Sequence, residues 1–204
     1  MADLATTYLG LKLRNPIVIG SSGLTDSAAK IQDLEKKGAG AVVVKSIFEE
    51  EILLEYNKLA QEGQLAGQSF EALDYLDLEV RAERLDEYMK LISDARKSVS
   101  IPVIASINCT YSHEWVSYAR ALQAAGADAL ELNVFFLPSD PRRSSAEIEK
   151  SYLDIVERVQ SQVSLPVALK IGYHFTALGA MIQRLSQSGI AGLVLFNRFW
   201  TPDL

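Results

Sequence analysis

Two stretches of this chain are rewritten further along it at nearly constant spacing. "SIPVIASIN" at 100–108 returns as "SLPVALKIG" at 164–172, and "AGADALELN" at 125–133 returns as "SGIAGLVLFN" at 188–197. Pro102 and Pro166 lie 64 residues apart, and Gly126 and Gly189 lie 63 apart. Such a period constrains the fold more than any single motif, because each unit must bury the same faces against its neighbours. Six apolar runs rich in Val, Ile and Leu set the frame: "PIVIGSSG" (16–23), "AVVVKS" (41–46), "IPVIASIN" (101–108), "ALELNV" (129–134), "PVALKI" (166–171) and "GLVLFN" (192–197). Runs of this kind, buried on both faces, suit parallel strands. Helical periodicity fills the gaps, so the chain reads β-α-β-α and belongs to the α/β class. The repeat suits a (β/α)8 barrel. The rival, a doubly wound dinucleotide-binding sheet, would favour G-x-G-x-x-G after the first strand, where "GSSGLTD" stands instead.

The helices announce their ends. Asp26 is the expected cap of "DSAAKIQDLEKKG", with Ala28, Ile31 and Leu34 as its stripe and Gly38 as its stop. Ser112 is the expected cap of the next segment, with Val116, Ala119 and Leu122 on one face, and Trp115 reads as core. Ser144 and Glu147 form a capping-box pattern ahead of Ile148, Tyr152, Ile155 and Val159. "TYLGLKLRNP" alternates apolar and polar residues and reads as a hairpin that plugs the barrel floor. Ile47 to Asp77 is too long for a simple βα loop and reads as a flap or short extra elements over one end. Closure needs eight strands and the chain supplies six. The expectation is therefore a single barrel domain over residues 1–204 that stops before strands seven and eight, with parallel edges left open.

Composition narrows the function. A formal net charge of −6 argues against a nucleic-acid surface. One cysteine, Cys109, forbids an internal disulfide and fits a reducing compartment. The first residues show no signal-peptide pattern and no run is long enough to span a membrane, so the expected location is cytoplasmic, without a membrane partner. No His/Cys cluster has metal-ligand spacing.

In a barrel, ligands sit at the carboxyl ends of the strands. The polar residues there are Ser21, Ser22, Lys45, Ser46, Asn108, Asn133, Lys170 and Asn197. A lysine flanked by apolar residues must bury its stem, and its ammonium needs a partner. For Lys170, either an internal ion pair with Glu131 or an electron-rich ligand meets that need. The three asparagines are either turn residues or a convergent donor–acceptor set suited to a planar heterocycle, and "GSSG" is either a plain turn or a close approach to a flat ring.

At this point "NPIVIGSSG", "VVVKS", "IASINC", "GADALELN" and "VALKIG" resemble the barrel of the dihydroorotate dehydrogenases. The stretch "IASINCTYSHEWVSYARALQAAGADALELN" is also similar to the flavin domain of dihydropyrimidine dehydrogenase. The resemblance implies a (β/α)8 barrel that binds FMN across its strand ends and oxidises a CH–CH bond of a dihydropyrimidine-like substrate. It places Ser21 and Ser22 near the flavin ring, and Lys45, with Ser46 beside it, near the N1–C2=O edge, where a cation stabilises the reduced ring. It places Lys170 on the carbonyl edge or ribityl chain, Asn133 on flavin or substrate, and Asn197 on the substrate. Asn108 joins the cofactor-binding set. A homodimer is compatible with this picture.

One departure is sharp. The family pattern is E-L-N-L-S-C-P-N, or Ser for Cys, and that Cys or Ser is the proton-abstracting base. Here the stretch is "ELNVFFLP", so Phe136 falls on the base position. The family's substrate-gripping N-x-M-G-L-P-N is also replaced, by "GQLAGQSFEALDYL". Among other proton carriers, Cys109 reads first as a small buried hydrophobe, His113 as a solvated helix residue, and His174 as a ligand-side imidazole with a suitable unperturbed pKa. Ser139 and Asp140 read first as a turn with Pro138 and Pro141. Arg142 and Arg143 read either as a grip for an anionic substrate or as solvent-facing. The alternative to a dehydrogenase is a flavin-binding barrel without turnover.

Overall fold

A computed structural model of the chain describes residues 2–48, 70–109, 114–136 and 139–197. The chain opens with an antiparallel hairpin of β1 (Thr6–Tyr8) and β2 (Leu11–Leu13). A parallel sheet follows, in chain order: β3 (Val18–Ile19), β4 (Ala41–Val43), β6 (Val103–Asn108), β7 (Ala129–Asn133), β8 (Val167–Ile171) and β9 (Gly192–Leu195). β5 (Ile47–Phe48) continues the second position after a break and pairs with β6. The sheet curls into half a barrel of six strands, which matches the six units read from sequence. Five described helices join it: α1 (Ala28–Lys36), α2 (Phe70–Ser98), α3 (Glu114–Ala124), α4 (Ser145–Gln160) and α5 (Leu178–Ser186).

Strand alternation sorts the side chains between two faces. The outer face meets the helices in the main core, where Val103, Ala105 and Ile107 of β6 and Leu130 and Leu132 of β7 pack with Ile92, Trp115, Leu122 and Val156. The inner face is smaller: Val43, Ile104, Ala129 and Ala168 cluster with Leu9. Leu9 sits at the hairpin tip with φ 53°, a conformation that a bulky residue adopts only under constraint, and it is 4% exposed. Its burial against the sheet supplies that constraint, so the hairpin plugs the floor as expected.

The sequence echo has a structural cause. Glu35 Oε1, at the end of α1, accepts the N–H groups of Ser100 (2.9 Å) and Ile101 (3.2 Å). Gln123 Oε1, at the end of α3, accepts those of Ser164 (2.7 Å) and Leu165 (3.3 Å). "SIP" and "SLP" are therefore strand entrances latched by the previous helix but one. Gly126 and Gly189 end α3 and α5 at φ 92° and 87°, where a side chain is disfavoured, which accounts for the second echo.

The capping box of Ser144 and Glu147 is present as read. The first helix differs: Ser27 is its cap and accepts the Lys30 N–H, while Asp26 pairs with the Lys30 ammonium at 2.8 Å. The shorter serine reaches the first turn, and the aspartate is left for the i+4 lysine. Of the flap or short extra elements expected over 47–77, Ile47–Phe48 is a short strand and Phe70 onward is helix. Its remainder, with Ser112 and His113, lies outside the described residues.

Candidate functional site

Above the apolar floor, the inner face turns polar. Ser106 of β6 stands opposite Glu131 of β7, and one step further Asn133 stands opposite Lys170 of β8. Ser46, Ser106, Glu131 and Asn133 are all buried. Buried polar groups require partners, and these make a continuous chain. Ser21 Oγ accepts the Ser46 N–H at 2.8 Å and lies 2.9 Å from Ser46 Oγ. Ser46 Oγ lies 2.7 Å from Ser106 Oγ, and Ser106 Oγ donates to Glu131 Oε1 at 3.2 Å. The Lys170 ammonium is 3.8 Å from the same carboxylate oxygen. The internal ion pair is therefore real, and it lies within the row of residues that the resemblance assigns to the ligand.

A second row forms the rim. Asn108 Nδ2 donates to the Asn133 carbonyl at 2.9 Å, and Asn197 Nδ2 donates to Asn133 Oδ1 at 3.0 Å. The structure thus joins the three amides of three strands. Ser22 serves its own turn: its carbonyl accepts the Thr25 N–H (3.0 Å) and hydroxyl (3.1 Å). Lys45 is exposed, and its backbone N–H donates to the Thr25 carbonyl at 3.2 Å. Added Cβ atoms at Gly20 and Gly23 would meet nothing within 4 Å, so "GSSG" fronts open space.

The two phenylalanines divide. Phe136 turns outward and packs edge-on against Tyr152 of α4, ring centroids 5.2 Å apart. Phe135 lies against Gly172, where a Cβ would stand 3.2 Å from its ring, and meets His174 edge-on at 6.0 Å. His174 also stacks on Tyr173 at 4.2 Å, and its Nδ1 is buried without a hydrogen-bond partner. Cys109 is 4% exposed, as a small hydrophobe would be. Asp140 caps its own turn, accepting the Arg142 N–H at 3.0 Å, and pairs with the exposed Arg142 guanidinium. Arg143 donates to Ser151 at 2.9 Å on the outer surface. Among the described residues, no three His, Cys, Asp or Glu side chains group as metal ligands, and no helix is long and apolar enough to cross a membrane.

Two members of the site escape a sequence reading. Ser106 is fully buried, and its signal was the polar alternation of "IASIN" with Asn108. Tyr88 of α2 donates its hydroxyl to the Ser106 carbonyl at 3.0 Å and accepts the Ser106 N–H at 3.1 Å. It fills the place in the ladder vacated between β4 and β5, and nothing in its local sequence marks it.

Burial pushes the Glu131 carboxyl above its usual range, while the Lys170 ammonium and the Ser106 hydroxyl pull it back without cancelling the effect. The folded protein thus holds this proton more tightly than the unfolded chain does. The associated stability is full below the ordinary carboxylate value of about 4.3 and is lost as pH rises through the raised one. Urea denaturation from about pH 4 to about pH 8 should show wild type losing stability relative to Glu131→Gln, by at most about 1.4 kcal/mol per pH unit. Parallel pH profiles would refute it.

The chain is 32% identical over 178 residues to the catalytic subunit of dihydroorotate dehydrogenase B (NAD(+)) from Thermoplasma acidophilum, covering 84% of this chain and 55% of that protein. It is 26% identical over 202 residues to the corresponding subunit from Geobacillus kaustophilus, covering 97% of this chain and 61% of that one. The chain is thus similar in sequence to several dihydroorotate dehydrogenases. No protein-family model matches it. The chain spans little more than half the length of those relatives. Among solved structures, it superposes on a phosphonopyruvate hydrolase with a TM-score of 0.53 at 15% identity, covering 93% of this chain and 61% of that one. A dihydrodipicolinate synthase from Agrobacterium tumefaciens gives 0.52 at 18% identity, covering 87% and 52%. At those identities the likeness concerns fold alone.

Proposed function

We propose that residues 1–204 belong to a single FMN-binding barrel domain of a dihydroorotate dehydrogenase-type oxidoreductase acting on a CH–CH bond of a dihydropyrimidine-like substrate. The observation that carries this reading is the polar rim: a lysine and three linked asparagines at the carboxyl ends of parallel strands. The donor set fits a flavin. Lys170, Asn108 and Asn133 offer hydrogen bonds to a planar ring of carbonyl and N–H groups, and the space before Gly20 and Gly23 leaves room for a flat face. Ser21, Ser22, Ser46 and Lys45 would border that face, Lys45 as the cation for negative ring charge, and Asn133 and Asn197 would reach substrate. When bound, FMN supplies hydride acceptance.

A second reading, flavin binding without dehydrogenase turnover, is favoured by one observation. Position 136 holds a phenylalanine packed on Tyr152, which can neither take nor give a proton. Titrating the protein with FMN separates both readings from a barrel with no cofactor, because binding quenches flavin fluorescence. Lys170→Met should weaken FMN binding at least tenfold. Anaerobic addition of dihydroorotate or a dihydropyrimidine then decides between the first two: bleaching of the flavin bands supports the dehydrogenase, and an unbleached complex supports the binding barrel. Absence of any FMN binding would overturn both.

A further inference from the structure

The Glu131–Lys170 pair is asymmetric. The Lys170 side chain is 16% exposed and faces the mouth, whereas that of Glu131 is 4% exposed and lies deeper. At 3.8 Å the ammonium is beyond direct hydrogen-bond reach of Glu131 Oε1, which Ser106 holds at 3.2 Å. The carboxylate is therefore anchored by its serine, and the cation is free to turn toward a ligand. The hydroxyl chain behind the carboxylate runs in one direction. Ser21 Oγ accepts the Ser46 N–H, which leaves its own proton for Ser46 Oγ; Ser46 then donates to Ser106, and Ser106 to Glu131. Ser21 is half-buried at the loop that fronts open space, while Ser46 and Ser106 are buried.

We propose that Glu131 is a proton-uptake site coupled to ligand charge: an anionic ring edge drawn to Lys170 competes for the ammonium, and the carboxylate left behind takes a proton through Ser21, Ser46 and Ser106. The inference rests on the flavin reading only for the identity of the anion. Charge decides the direction. Before the ligand arrives, the buried pair sums to zero. One negative charge added beside Lys170 leaves an uncompensated anion in a poorly solvated interior, a costly state that one proton removes. The proton comes from water at the mouth and enters Ser21 Oγ. Ser21, Ser46 and Ser106 each pass one proton on, and Glu131 ends neutral. No bond to carbon changes and no electron moves within this step. The groups facing Glu131 are Lys170 from β8, Ser106 from β6, Tyr88 from α2 and Tyr8 from the hairpin. Both tyrosine hydroxyls are held above their usual range, by burial first and then by the Glu131 charge, so neither competes as a proton donor near neutrality. The raised proton affinity of Glu131 agrees with this role.

Infrared spectroscopy of the whole chain reads the carboxyl directly. Anaerobic FMN reduced with dithionite, added at neutral pH, should raise a protonated-carboxyl band in wild type. Glu131→Gln should abolish that band, and Ser106→Ala should slow its appearance at least tenfold after a ligand jump while leaving its final size unchanged. FMN that binds, seen by fluorescence quenching before reduction, yet raises no band overturns the proposal. If FMN does not bind, the flavin reading falls, and Lys170→Met tests the coupling without a ligand. Removing the ammonium should protonate Glu131 at neutral pH, and a band no larger than in wild type overturns the inference. Lys170→Gln serves the same purpose should the methionine variant not fold.

Discussion

Tyr88→Phe is expected to lower the unfolding free energy by about 3 kcal/mol, a large loss for the removal of one oxygen. The hydroxyl serves two backbone groups at once, the Ser106 carbonyl and the Ser106 N–H, at 3.0 and 3.1 Å. Both belong to a fully buried residue in the middle of β6. The neighbouring strand does not reach them, because between β4 and β5 the chain leaves the ladder: the Lys45 N–H turns to Thr25 and the Ser46 N–H to Ser21. Phenylalanine keeps the ring and strands both groups, at about 1–3 kcal/mol for each buried polar group left unpaired. Chemical denaturation measures the loss, and hydrogen exchange at Ser106 should speed up selectively. A loss below about 0.5 kcal/mol would mean that water reaches the gap.

Gly40→Ala is expected to cost about 3 kcal/mol, at the upper end of overpacking. A Cβ there would stand 2.3 Å from the Asn15 carbonyl oxygen, 2.8 Å from Asn15 Oδ1 and 3.1 Å from the Ile17 carbonyl oxygen. Two of those three atoms are backbone, and they are held in place. Asn15 Nδ2 donates to the Gly38 carbonyl at 2.9 Å, Asn15 Oδ1 accepts the Ile17 N–H at 2.9 Å, and Gly40 N–H donates to the Ile17 carbonyl at 2.8 Å. The clamp that joins the segment after β2 to the start of β4 must open to admit a methyl group. Gly20→Ala is the control, since nothing lies within 4 Å of its added carbon, and it should change stability by no more than about 0.5 kcal/mol. Equal melting temperatures for the two variants would refute the close approach.

The frame of the fold was legible because it rests on local pattern. Six Val/Ile/Leu runs gave six strand positions, and the alternation of "TYLGLKL" gave the plugging hairpin. Ser144 and Glu147 declared their helix start because a capping box is a contact within four residues. The Glu131–Lys170 pair was legible because two charged residues in apolar strands have few other ways to be satisfied. What escaped depends on distance along the chain. Tyr88 meets Ser106 across 18 positions, and Ser46 meets Ser106 across 60. The broken second strand escaped because "AVVVKS" looks continuous, and only the pull of Ser21 and Thr25 on residues 45 and 46 shows the break. Phe135 and Phe136 read alike in sequence, yet strand alternation sends one to the rim and the other to Tyr152.

The Glu35 and Gln123 latches bear on how such a chain can be rearranged. Two staves of the half-cylinder, those of β6 and β8, borrow an acceptor for their opening amides from a helix encoded earlier. During synthesis, these two strands therefore find their docking points already made, which gives their assembly a heading from amino to carboxyl end. A shuffled or transplanted stave of this kind that leaves its lender behind would arrive with exposed donors at its root, so its smallest portable module reaches back two helices, to the one that lends the acceptor.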